Sequence, residues 1–412
     1  MFRPTQPLSR PEFITLVAML IAVVAFAIDA MLPSLPLIAQ ELTPEDPNRA
    51  QLVLAVFILG MGLGTVITGP LSDTLGRKPV ITWGLVLYSI GAILAVFATS
   101  IEMLLAARLI QGLGAAAPRV VAQAMIRDLY SGRRMAQISS FVMMIFILVP
   151  ALAPSVGALI ASGFGWRGVF GGFVVFAAIG GLWLNLRQPE TLASENTRTL
   201  KPSALWEAAR EVLTNRLVLI YIAVMTLGFA LLFALLSSIQ QIYGETYGKA
   251  DSFPFWFLVG GLLSGLGTVF NAVLVMRVGM RRLAMFAFGA QVIISVALLT
   301  ITRLHVIGPV LPFEVFFLWQ VSVFGMAGLT FGNLNALALE PMGHIAGMAS
   351  SVVTAIATVA SVVIAAPIGL AFNGTPNPLL IGTAVCSALA WALMRTARKL
   401  DPEAKKAPLI HV

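Results

Sequence analysis

Residues 13–40 read FITLVAMLIAVVAFAIDAMLPSLPLIAQ, an apolar run broken by one charge, Asp29. At about 1.5 Å rise per residue this run outlasts the roughly 30 Å of a bilayer's hydrocarbon core, so it spans as a helix. A carboxylate at that depth costs on the order of 2.5–3.5 kcal/mol, which marks Asp29 as a functional group facing water or a partner. Pro33 and Pro36 follow and each removes a backbone donor, which predicts a bend just beyond the acid. A structural ion pair with an arginine is the plainer reading of Asp29.

Outward from this helix, the 412 residues are 58% hydrophobic and 11% charged, with a mean hydropathy of +0.93. That composition excludes a soluble globular chain and predicts an all-α membrane protein. Twelve apolar segments are expected near residues 13–40, 51–70, 80–99, 102–127, 137–161, 168–186, 217–240, 254–276, 283–302, 312–338, 345–371 and 376–396. The first run is too long for a signal peptide's apolar region, so it reads as an anchor. Of the 26 Lys and Arg, 20 fall at the termini and in the even-numbered connections, four fall in the odd-numbered ones, and Arg108 and Arg119 lie inside segments. This bias puts both termini in the cytoplasm and makes the net charge of +8 a matter of topology, with no bearing on nucleic acid. A lone cysteine, Cys386, and three scattered histidines supply neither disulfide nor metal-ligand spacing, so no metal or cofactor is expected.

The segments divide into an N-terminal six-helix bundle, 1–186, and a C-terminal one, 217–412, joined by a polar linker, 187–216. Within the linker, ALWEAAREVLTNR sets Trp206 against Glu207, Arg210 and Glu211, the pattern of a short interfacial helix; a mere tether is the simpler reading. The halves read as pseudo-symmetric repeats offset by about 203 residues, since GPLSDTLGRKPV from Gly69 is echoed by AVLVMRVGMRRL from Ala272. Such repeats place a binding site near the midplane between them.

GPLSDTLGRKP closely resembles the loop signature of the major facilitator superfamily, with Gly69, Leu71, Asp73, Gly76, Arg77 and Lys78 in the expected places. Physically, an acid and two bases on a tight turn form a cluster that can lock one conformation and release in another. The run LLAARLIQGLGAAAPRVV is similar to the fourth-helix motif of this superfamily's proton-coupled drug exporters through Arg108, Gln111, Gly112 and Gly114. Arg108, Gly112, Ala115 and Arg119 share one helical stripe, expected to face a cavity, while Gly112 and Gly114 suit close packing. In VPALAPSVGALI, Ala153, Pro154 and Gly157 resemble the exporters' antiporter motif, and Pro150 with Pro154 would kink the helix. MIRDLY, DAMLPSLP and GFGWRGVF extend the similarity to the Bcr/CflA group of drug exporters. Two departures stand out. Arg119 follows a proline where that group does not usually place an arginine, and Ala22 and Ala25 occupy positions where some multidrug exporters carry a second acid. Arg119 can pair with Asp29, with Asp128 or with backbone carbonyls.

The resemblance implies a secondary transporter, not an enzyme, in a bacterial inner membrane. It would be a monomer that exports lipophilic drugs or metabolites in exchange for protons. Asp29 and Arg108 would couple the proton, and Gly69, Asp73, Gly76, Arg77 and Lys78 would form the lock. Pro150, Pro154 and Gly157 would form the kink. Counted in helix rise from the outer ends, Asp29 lies about 16 Å deep, between Arg108 at about 9 Å and Arg119 at about 26 Å. Phe26, Gln111, Ala115, Arg119, Phe229 and Phe233 are candidate partners of the acid or contacts of an apolar cargo. An arginine partner favours the charged carboxylate and dehydration by cargo favours the neutral one, so the two ligands compete. The alternative is a proton-coupled symporter, or an exporter of one metabolite such as a sugar, amino acid or organic acid.

Overall fold

The computed structural model describes residues 8–193, 202–306, 308 and 310–400, so the middle of the linker lies outside the described residues. Thirteen α-helices follow in order: α1 Arg10–Asp29, α2 Leu35–Leu42, α3 Leu52–Leu75, α4 Arg77–Val96, α5 Ile101–Leu129, α6 Gly132–Arg187, α7 Pro202–Thr214, α8 Arg216–Gln241, α9 Phe253–Val278, α10 Met280–Arg303, α11 Phe313–Leu339, α12 Ala346–Leu370 and α13 Asn377–Leu400. Ten stretches are long and apolar enough to cross a membrane. Two of them, 148–187 and 313–370, each hold two rods, giving twelve crossings among the described residues.

The chain's own chemistry sets the breaks between these rods. Pro33 and Pro36 cannot donate to the preceding turn, so α1 ends at Asp29, a 3-10 turn covers Leu32–Ser34, and α2 restarts at Leu35. Gly165, at φ 67°, divides α6 into limbs 132–164 and 166–187, a conformation that costs glycine nothing. Gly76, at φ 98°, joins α3 to α4, and Gly279, at φ 89°, opens α10. Those two glycines stand 203 positions apart, so the repeat read from the loop signature extends to backbone conformation. Ser100 caps α5, its hydroxyl accepting from the Met103 amide at 3.2 Å.

Contacts gather the chain into two compact units, one of residues 1–202 with 236–262, the other of 203–235 with 263–412. In the first unit α5 is the central post, packed on both α3 and α4, while α1 lies along α6. Small residues set the spacing: a Cβ on Gly112 would stand 2.1 Å from the Phe57 carbonyl oxygen, and one on Gly114 would stand 2.3 Å from the Tyr88 amide nitrogen. The second unit buries Tyr221, Met225, Phe288, Met326 and Met394 in one cluster. The amphipathic α7 belongs to this unit: its Val212 is fully buried in that cluster, while Trp206 is 70% exposed. One face of α7 is therefore docked on protein and its tryptophan projects outward.

Candidate functional site

Asp29 is the last residue of α1 and only 5% exposed, the one buried carboxylate among the described residues. It has no ion-pair partner among them. The bend that follows brings Ala30 against α6, where a Cβ on Gly157 would fall 1.9 Å from the Ala30 carbonyl oxygen. No other residue type fits there without moving the backbone next to the acid. Pro150 and Pro154 lie inside the same helical limb, and Ala153 and Gly157 are both buried. One turn before the acid, Phe26 packs against Phe173 and Phe176, with ring centroids 5.5 and 4.9 Å away.

Arg108 is fully buried and spends its guanidinium on α1, α3 and its own helix. Its Nη2 donates to the Ala27 carbonyl at 3.1 Å, Nε to the Val53 carbonyl at 3.0 Å, and Nη1 to Gln111 Oε1 at 2.8 Å. The plane stacks over Phe57, 4.2 Å from the ring centroid, with Phe170 at 5.8 Å. A planar fork of five donors suits three acceptors on separate elements, which an ammonium could not reach at once. The carbonyl it grips lies two residues before Asp29. Beside it, Gln111 Nε2 and the Tyr88 hydroxyl are buried without hydrogen-bond partners among the described residues.

Arg119 Nη1 lies 3.3 Å from Met61 Sδ on α3. Of the partners weighed for Arg119, Asp128 is engaged elsewhere: it accepts from Arg77 and from the Thr191 hydroxyl at 3.0 Å. The stripe of Arg108, Gly112 and Arg119 therefore packs along α3, at Val53, Phe57 and Met61, where a cavity was expected. Ala115 is fully buried on the same helix.

At the turn between α3 and α4 the charge cluster is assembled. Arg77 is 6% exposed; its Nη1 donates to Asp73 and Ser72, and its Nε to Asp128 Oδ2 at 2.8 Å. Lys78 Nζ donates to the Asn185 carbonyl at 3.3 Å. Glu190, absent from the sequence reading, completes the group by accepting from the backbone amides of Arg77 at 2.9 Å and Lys78 at 3.0 Å. A carboxylate there meets the positive end of the α4 dipole and satisfies two amides that no helical turn can. The signal was legible as an acid right after the sixth segment, but its partner is far away in sequence. Gly69 lies a turn earlier on α3, its carbonyl accepting from Ser72.

In the second unit Phe229 stacks on Phe233 at 5.9 Å and meets Phe331 edge-on at 4.6 Å. What hydropathy concealed there is a buried neutral network: Ser295 Oγ accepts from Trp319 Nε1 at 3.0 Å, and Ser322 donates to Gln291 Oε1 at 3.1 Å.

The sequence model of the Major Facilitator Superfamily matches residues 17–366. Similar sequences include a bicyclomycin resistance protein homolog of Haemophilus influenzae, 27% identical over 397 residues that cover 94% of this chain and 97% of the relative. A multidrug resistance protein MdtL of Citrobacter koseri is 29% identical, covering 79% of this chain and 80% of the relative. Among solved structures, a D-xylose-proton symporter superposes with a TM-score of 0.74 at 17% identity, over 97% of this chain and 100% of that one, which establishes likeness of fold. With twelve apolar crossings, the loop cluster on Arg77 and a match over most of its length, the chain belongs to the Major Facilitator Superfamily, a family of transporters and not of enzymes.

Proposed function

We propose that this protein exports lipophilic small molecules from the cytoplasm in exchange for protons, by alternating access of two six-helix halves in a bacterial inner membrane, with both termini cytoplasmic. The names of the bicyclomycin and multidrug resistance relatives support the direction and the class of cargo. The charge bias of the connections supports the orientation.

One observation carries the proton step: a single buried carboxylate, Asp29, at the end of a helix whose neighbouring carbonyl is held by Arg108. Without an ion-pair partner the acid is free to alternate between its two states. Cargo that strips water from Asp29 favours the protonated form, and ionisation in a wetted site favours release of the cargo's apolar contacts. In this scheme Arg108 holds the α1 backbone in register and biases the acid's charge, while Asp73 with Arg77 and Lys78 locks the cytoplasmic turn. An inward proton yields roughly 2.3 kcal/mol per 100 mV, enough for a neutral compound to be concentrated a few tens-fold.

The test is Asp29→Asn in proteoliposomes under an imposed pH gradient. Cargo binding in detergent should persist while pH-driven transport vanishes; undiminished transport overturns the assignment.

A further inference from the structure

Among the described residues, five arginines of the first unit are wholly or partly shielded from water, and four of them end on oxygen. Arg49 pairs with Glu102 at 2.9 Å, Arg77 with Asp73 and Asp128, and Arg167 with Glu41 at 2.8 Å, while Arg108 donates to two carbonyls and the Gln111 amide oxygen. Arg119 is the exception. Its one hydrogen bond runs from Nη1 to the Met61 thioether at 3.3 Å, and sulfur is a weak acceptor. A guanidinium carries several N–H donors in a fixed fork, so Nε and Nη2 keep theirs, and the positive charge meets no carboxylate among the described residues.

Depth makes that arrangement costly. Arg119 lies inside the apolar run of α5, between Arg108 and the end that carries Asp128, and a cation at such a level is kept where it faces a partner or a wet passage. The nearby acids do not supply the partner: Asp128 is taken by Arg77 and Thr191, and Asp29 forms no ion pair among the described residues. Unlike Arg108, Arg119 is partly exposed. Gln123, one turn further along the same face, is exposed and makes no hydrogen bond among the described residues. The face thus offers an entering molecule a charged planar fork and a neutral amide, both with N–H groups to give, and no acid that would repel an anion. Such a fork matches the two oxygens of a carboxylate.

We propose that Arg119, with Gln123, binds the acidic group of amphiphilic monoanions, a carboxylate carried on an apolar body. That the anion is exported cargo rests on the export reading above; its binding does not. A phospholipid phosphate offers the same oxyanion chemistry, so the lipid is tested as the rival source.

The test is equilibrium dialysis of the full chain in dodecyl maltoside against protein-free micelles, with anthracene-9-carboxylate, its uncharged amide, and ethidium, a monocation on a similar three-ring body. The carboxylate is expected to bind about ten-fold more tightly than the other two, the weight of a charge-assisted pair. Arg119→Met should erase that preference, Arg119→Lys should keep some of it as a point charge without the fork, and Gln123→Leu should weaken the carboxylate about three-fold. Melting without ligand separates a ligand contact from a strut. Arg119→Met replaces an unpaired charge with an apolar side chain against Met61, so it should unfold at or above the parent's temperature. Binding should survive in Asp29→Asn, which separates this site from the proton step. Phosphatidylglycerol in equal amount should leave the carboxylate's affinity unchanged; displacement by it would give the guanidinium to a lipid headgroup and overturn the proposal. A carboxylate bound no better than its amide, a preference that persists in Arg119→Met, a lowered midpoint in that variant, or binding lost with Asp29 would each overturn it as well.

Discussion

Arg108 shows why residue type matters more than charge at this depth. Its three hydrogen bonds end on two backbone carbonyls and an amide oxygen, and truncation removes all three from a dry interior. At about 0.6–1 kcal/mol per bond between membrane helices, Arg108→Ala should cost about 2–3 kcal/mol. Arg108→Lys should recover little of it, because one ammonium cannot span acceptors on α1 and α3 together. Thermal unfolding in detergent reads both variants, and a lysine variant as stable as the parent would show that charge alone suffices. Gly157 offers a second case at this scale. Gly157→Ala drives a methyl into the Ala30 carbonyl and should cost about 1–3 kcal/mol and displace the neighbouring acid, so transport falls as well. Gly171→Ala, in the second limb of α6, is the control: nothing stands within 4 Å of its added carbon, so stability and transport should hold.

The helices themselves were legible because hydropathy is a one-dimensional signal: all twelve expected segments reappear as rods, and the Pro33–Pro36 bend falls where backbone donors are missing. Asp29 and Arg108 stood out for the same reason, as charges in apolar runs. What stayed hidden was neutral or distant in sequence. Gln51, Gln240 and Gln241 carry no charge and sit at the ends of apolar segments, yet they line one cavity in the first unit. The stripe on α5 grouped residues that share a face but gave no means of telling a packed neighbour from a cavity, since periodicity reports only that a face is shared. Glu190 is the sharpest case among elements, because it caps α4 from beyond the end of α6. Glu190→Ala leaves two amides without that acceptor and should lower stability by about 1–2 kcal/mol. Glu190→Gln, which keeps an acceptor but loses the charge opposite the dipole, should cost only about 0.3–1 kcal/mol. Unfolding midpoints of the pair rank the two contributions: equal losses would mean that the charge carries the whole effect, and no loss in Glu190→Gln that the charge adds nothing.

For the whole molecule, the count of buried acids decides the electrical character of exchange. Asp29 is the one buried carboxylate among the described residues, so an antiporter in which it alone carries the proton exchanges one proton per cycle. Export of a neutral compound against one entering proton then carries one net positive charge inward, so membrane potential and pH gradient both drive it. Export of a monocation against one proton carries none, so the pH gradient alone drives it. Proteoliposomes clamped with potassium and valinomycin separate the two forces. A neutral cargo should accumulate under either force, by up to a few tens-fold for 100 mV, whereas ethidium should respond to the pH gradient and ignore the potential. A monocation driven by potential alone would require a second proton per turnover, and with it another titrating group. That outcome would break the one-acid account without touching the fold.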